Sequence, residues 1–235
     1  MKEVSVYVSK YYVHFLLTLF LGVWAWSVWD PASPTNWFLE NKMVLLFIPI
    51  IYFLLIRYIR FSKLSLSFIT LFFMLHLIGA HYNYGSVPFG FRLSEVSGIG
   101  GNMYDKLVHF SFGFLIVYPL RELCLRIAKM KGFWAYSMPF SMILALGALY
   151  EVFEWVTVLQ YGEAAGYLFI GGNDPFDTTK DLAVAAVGAV LALGIVLVFE
   201  IIEHRGVFWQ IFKKSFTRDA RTHPKEDTLL HKDII

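Results

Sequence analysis

A chain of 235 residues that is 57% hydrophobic and only 16% charged is too apolar to be an ordinary water-soluble domain. Its formal charge of +2, with basic residues set beside apolar runs rather than in one stripe, argues against a nucleic-acid partner. The single cysteine, Cys124, leaves neither a disulfide framework nor a cysteine metal cluster.

A membrane-crossing helix needs roughly 20 apolar residues, and runs of about that length recur along the chain. The predicted architecture is therefore all-α: a polytopic bundle of about six transmembrane helices over residues 1–203, followed by a basic cytoplasmic tail over 204–235. The first span, 11–29, is long for a signal-peptide core and ends without a small-x-small cleavage pattern, so it is expected to stay as a helix. Trp24, Trp26, Trp29 and Trp37 surround its end, where indole rings favour the membrane interface. The second span, 43–59, is short and holds Pro49; Arg57 and Arg60 at its end are placed to snorkel toward headgroups. The third, 64–80, ends near His76 and His81. Beyond it, Gly98-Ile99-Gly100-Gly101 lacks the flanking strand and helix of a nucleotide-binding loop and reads as a flexible hinge. The fourth span, 105–120, is also short, with Arg121 expected to snorkel. The fifth, 134–158, contains Pro139, expected to kink it. In the sixth, 182–199, Ala185 with Ala189 and Gly188 with Ala192 set small residues four apart, the spacing that lets helices approach closely. The tail interleaves Phe208, Trp209, Ile211 and Phe212 with Lys213 and Lys214, which suits a short helix lying on anionic lipid, and beyond Thr217 its polar composition predicts disorder.

Basic residues orient the bundle. Sixteen of the 20 lie at the amino terminus, in two alternate loops and in the tail; the other four are Lys42, Arg92, Lys106 and Lys180. The positive-inside rule then puts both termini in the cytoplasm and requires an even number of spans.

The intramembrane ionisable residues are the functional candidates, because such groups are costly in lipid unless they face a bundle interior or a wet cavity. Asp105 and His109 are four apart on the fourth helix, hence on one face and about 6 Å apart along its axis. Glu151 and Glu154 are three apart on the fifth. Asp174, Asp177 and Asp181 lead into the sixth. All fall toward the extracytoplasmic face on the orientation above, where ten acidic residues meet four basic ones. Asp105, His109, Glu151, Glu154, Asp177 and Asp181 together make a ligand set for a divalent metal ion, since carboxylates and neutral imidazole are ordinary ligands of zinc, manganese and calcium. His109, Glu151 and Glu154 equally suit acid–base catalysis, because close carboxylates share protons. Each residue also has a plainer account: Asp105, Asp177 or Asp181 capping a helix, and His109 hydrogen-bonded to Glu151 or Glu154 to hold three helices in register.

The series His81-Tyr82-x-Tyr84, Val87-Pro88, Tyr104-Asp105-x-x-x-His109-Phe110, Tyr150-Glu151-x-x-Glu154-Trp155 and Asp174-x-x-Asp177-x-x-x-Asp181 resembles the YjdF family of bacterial inner-membrane proteins, over nearly all of the chain up to about residue 203. The Asp-Lys-x-x-His-Phe helix start, the glutamate pair and the aspartates are more distantly similar to VanZ-like membrane proteins, a group with members linked to glycopeptide resistance and the cell envelope. The resemblance implies a multi-pass protein of the inner membrane and supplies no reaction. Three readings stay open: a hydrolase or transferase, with or without a metal ion, acting on an envelope lipid or lipid-linked precursor; a proton-linked transporter; and a structural or accessory membrane protein.

Overall fold

A computed structural model describes residues 10–42, 44–45, 61–98, 100–162 and 176–203, and every regular element among them is helical. Apart from 44–45, the expected second span, with Pro49, Arg57 and Arg60, lies outside the described residues, as do Asp174 and the tail. In chain order the elements are α1 (Lys10–Val28), α2 (34–42), α3 (Lys63–His81), α4 (Pro88–Ser97), α5 (Tyr104–Ser111), a π-helical turn (Phe112–Ile116), α6 (Val117–Arg126), α7 (Trp134–Tyr161) and α8 (Asp177–Glu203). Among the described residues, five continuous apolar stretches are long enough to cross a membrane: Tyr11–Val28, Lys63–His81, Tyr104–Arg126, Trp134–Tyr161 and Asp177–Ile202.

Two of these differ from the expected spans in ways that matter. Helix α8 begins at Asp177 rather than near residue 182, so Asp177 and Asp181 stand one turn apart on the helix instead of in the loop before it. The fourth span continues from α5 through the π turn to Arg126, which removes the need for Arg121 to snorkel. Arg121 is 6% exposed; its Nη2 meets Glu200 Oε1 at 2.6 Å and its guanidinium lies 4.7 Å from the Tyr136 ring centroid. Tyr136 also donates to Glu200. A polar knot of α6, α7 and α8 thus stands at the end of the bundle opposite Asp177.

The central contact joins the α5–α6 rod to α8. Val117, Leu120, Ile143, Ala185, Ala189, Ala192 and Leu193 form its apolar core. A Cβ added at Gly113 would fall 1.9 Å from the Ala185 carbonyl oxygen, and one at Gly188 would fall 2.3 Å from that of Phe110. The backbones therefore touch, which is what small residues four apart permit in an apolar solvent where dispersion, not hydrophobicity, drives helix association. Leu146, Leu149, Val152 and Trp155 of α7, with Val187, Val190, Leu191 and Ile195 of α8, are exposed apolar side chains suited to lipid.

Short connections dock with defined hydrogen bonds. Ser62 caps α3 by accepting from Ser65 N at 3.2 Å, and Glu122 of α6 accepts from Ser62 N at 2.8 Å and meets Arg126 at 2.8 Å. Pro88 opens α4 and Gly98, at φ 71°, closes it. The expected glycine hinge is thus partly a helix end, and Gly101 O accepts from Ser94 Oγ at 2.6 Å. Helix α2 is tied to the end of α3 by Ala32 N donating to His81 O at 2.9 Å and by Asn36 Nδ2 donating to Asn83 Oδ1 at 3.1 Å. The indoles divide: Trp29 is exposed, Trp26 stacks on His81 at 4.2 Å, and Trp37 is buried with Nε1 donating to Ser27 Oγ at 3.3 Å. Trp37 is a packing residue rather than part of an interfacial belt, because α2 folds back over α1.

Candidate functional site

One turn of α5 and one turn of α8 face each other beside the middle of α7, and their polar side chains converge. Asp105 and Asp181 are buried, as is Glu151. His109 Nε2 lies 3.6 Å from Asp105 Oδ1 and 3.9 Å from both Asp181 Oδ1 and Glu151 Oε1. Single donor atoms of Asp105, His109 and Asp181 all lie within 4.8 Å of one another. Thr178 Oγ1 donates to Glu151 Oε2 at 2.9 Å, while Glu151 Oε1 is buried without a hydrogen-bond partner.

Lys106 occupies the centre of the aspartates. Its Nζ is 3.0 Å from Asp105 Oδ2, 2.6 Å from Asp177 Oδ1 and 2.7 Å from Asp181 Oδ1. One ammonium thus serves three carboxylates, and Glu151 adds a fourth acid nearby, so the site carries more negative than positive groups. Helix geometry explains the convergence. Asp105 and His109 follow the i, i+4 row of α5, Asp177 and Asp181 follow that of α8, and the glycine contacts bring the two backbones close enough for the rows to meet.

Of the six residues singled out from the sequence, Asp105, His109, Glu151, Asp177 and Asp181 are brought together. Glu154 lies one turn further along α7 and is partly buried; Glu40, Glu151, Asp105 and Asp181 are within its electrostatic reach. His109 approaches Glu151 without a hydrogen bond, at 3.9 Å, and lies comparably near Asp105 and Asp181. His76 and His81 do not join. His76 Nδ1 shares a 2.6 Å hydrogen bond with Tyr84 Oη, and the His81 ring lies against Trp26 and Tyr82.

Sequence reasoning missed Lys106, Thr178, Tyr150 and Glu40. Lys106 did carry a signal, as one of only four basic residues on the acid-rich side. Glu40 is 3% exposed and accepts from Tyr150 Oη at 2.9 Å, and the Tyr150 ring stands edge-on to His109. Burial, reinforced by the Asp105 charge, pushes the Glu40 carboxyl up to about 7, against the Tyr150 hydrogen bond and Lys42. Burial likewise holds the Lys42 ammonium below its ordinary value and the Tyr84 phenol well above its own.

The chain matches the family described as predicted membrane protein (DUF2238) over residues 12–201, and it belongs to that family. It is 30% identical over 175 residues to inner membrane protein YjdF of Escherichia coli (strain K12), covering 74% of this chain and 82% of that one. No solved structure matches it. Together with the five long apolar helices, the family and this relative identify a multi-pass helical protein of the inner membrane.

Proposed function

We propose that this DUF2238 family member is a membrane-embedded hydrolase or transferase that binds one divalent cation between Asp105, His109 and Asp181. It acts at the extracytoplasmic face on the polar part of an envelope lipid or lipid-linked precursor. The observation that carries this is the mutual approach, within 4.8 Å, of two carboxylates and one imidazole, Asp105 and His109 from α5 and Asp181 from α8. Ligand bonds of about 2.0–2.2 Å in a tetrahedral site set donor atoms about 3.4 Å apart, so the His109 spacings of 3.6 and 3.9 Å need a small contraction and the set as a whole, within 4.8 Å, a larger one. Glu151, with a free buried oxygen 3.9 Å from His109 Nε2, is the base that would take a proton from water, and Glu154 is a second acid–base group behind it. A bound cation supplies the polarisation of a phosphate or carbonyl oxygen. Lys106 and Asp177 orient the aspartates. The face follows from the distribution of basic residues, with both termini cytoplasmic.

Lys106 favours a second reading. An ammonium 2.6–3.0 Å from three aspartates is itself a counter-ion, and a network so neutralised serves a structural or accessory role without a metal. Metal analysis of the full chain, purified without chelator, separates the two. The first reading expects about one equivalent of zinc, manganese or calcium, lost in His109→Ala and Asp181→Asn. A metal-free protein with no cation-dependent gain in thermal stability would overturn it in favour of the second.

A further inference from the structure

Helix α2 turns the side chains of Asn36, Trp37, Glu40 and Asn41 into the protein, the i, i+1, i+4, i+5 pattern of a helix laid on a surface. Four buried polar atoms in this region have no hydrogen-bond partner: Asn36 Oδ1, Glu40 Oε1, Asn41 Oδ1 and His76 Nε2. Buried orphans of this kind are rare and call for a specific explanation. Glu40 is the one whose chemistry is decisive. Its single described bond is the one accepted from Tyr150 on Oε2. Among the described residues no lysine, arginine or histidine nitrogen forms an ion pair with it, and Lys42, two positions on, donates to Thr157 instead.

An ionised Glu40 would be an unpaired charge inside the protein, whereas a neutral carboxyl keeps the Tyr150 bond on one oxygen and carries a proton on the other. The groups that face it are Tyr150 and Glu154 from α7, Asp105 from α5, His76 from α3, Tyr84 beyond α3 and Lys42 on α2 itself. The acidic neighbours and the low polarity act together to favour the neutral form. By contrast, the three aspartates of the neighbouring site share the Lys106 ammonium. A buried acid with no cation partner among the described residues, set beside acids that have one, is an arrangement suited to proton exchange.

We propose that Glu40 is the proton store of the outer site, a carboxyl held neutral where α2 meets α3 and α7 and exchanging its proton with the Asp105–His109–Asp181 cluster. Its role as a store for catalysis rests on the function proposed above; its state as a buried neutral acid does not. In that role the Glu40 O–H bond breaks, the proton passes to a basic atom of the cluster or its substrate, and the carboxylate left behind recovers a proton from water. Glu40 acts through its neighbours and is a positioning and proton-holding residue rather than one that touches substrate.

The test is an infrared titration of the full chain in detergent, following the carbonyl stretch of protonated carboxyls between about pH 5 and about pH 9. A band lost with a midpoint near 7 is expected in the unaltered protein and absent in Glu40→Gln. Tyr150→Phe should raise that midpoint, because it removes a bond that favours the carboxylate, and Asp105→Asn should lower it by removing a nearby negative charge. The opposite movements decide the matter even if Glu40→Gln does not fold. The proposal is overturned if no band titrates near 7, if the band survives in Glu40→Gln, or if neither neighbour moves it. A protein that shows the band but binds no cation refutes the metal reading alone, and one that binds a cation without the band refutes the proton store alone.

Discussion

Replacing Glu40 by Gln tests the buried-acid argument through stability. The glutamine keeps the shape and an oxygen for Tyr150 but cannot ionise. Glu40 has its proton-binding midpoint raised from 4.5 to about 7 on folding, so between these values the folded chain holds a proton that the unfolded chain has released. Stability therefore falls as pH rises through this window, and the loss is complete above about 7. At about 1.4 kcal/mol per pH unit the accumulated penalty is on the order of 3 kcal/mol, with little discount for solvent because the side chain is buried. Glu40→Gln should match the unaltered protein near pH 4.5 and exceed it by that amount near pH 8. For a chain of this length about 2–4 °C accompanies each kcal/mol, so the gain in midpoint is several degrees. Thermal unfolding in detergent, followed by circular dichroism at both pH values, measures it. A difference that does not change with pH, or a variant less stable at pH 8, would refute the reasoning.

Other consequences follow from contacts of defined geometry. Gly113→Ala drives a Cβ to 1.9 Å from the Ala185 carbonyl, so folded yield on size-exclusion chromatography should collapse, whereas Gly22→Ala, with nothing within 4 Å, should behave as the parent. Lys106→Met removes the ammonium shared by three aspartates and should cost about 3–5 kcal/mol at neutral pH. On the proposed function, millimolar calcium or manganese recovers part of that loss, read as a cation-dependent rise in unfolding temperature larger than in the parent. Arg121→Ala leaves the partly buried Glu200 with its Tyr136 hydrogen bond but without its cation and should destabilise by about 1–3 kcal/mol, while Arg121→Ala with Glu200→Ala should be milder than the single change, which a double-mutant cycle measures.

The places where structure departed from expectation share a cause. Arg121 beside an apolar run looked like a snorkelling residue, and Trp37 beside a span end looked interfacial, because each was judged against lipid. In the fold their neighbours are Glu200 with Tyr136 and Ser27 with Trp24, partners distant in sequence or set by a chain reversal. Lys106 was counted as a loop charge because its three partners stand on two helices separated by some 70 residues. Glu40 counts in the sequence only as one of ten acidic residues on that side, since Tyr150, its donor among the described residues, is 110 positions away.

What the sequence determined by itself are the properties that add up along a segment: hydropathy enough for membrane-crossing helices, the one-sided distribution of basic residues, and the helical phase that sets Asp105 with His109 and Ala185 with Ala189 on common faces. Such quantities depend only on residue type and a period of 3.6, so they survive without knowledge of neighbours. Only the tertiary structure decided how those faces are rotated and how closely they meet. The backbone contact of Gly113 with Ala185 and of Gly188 with Phe110 sets α5 against α8 at the distance where Lys106 reaches Asp177 and Asp181. The fold of α2 over α3 carries Glu40 to Tyr150. Those are short-range steric facts about pairs of distant segments, and no periodicity within one segment contains them.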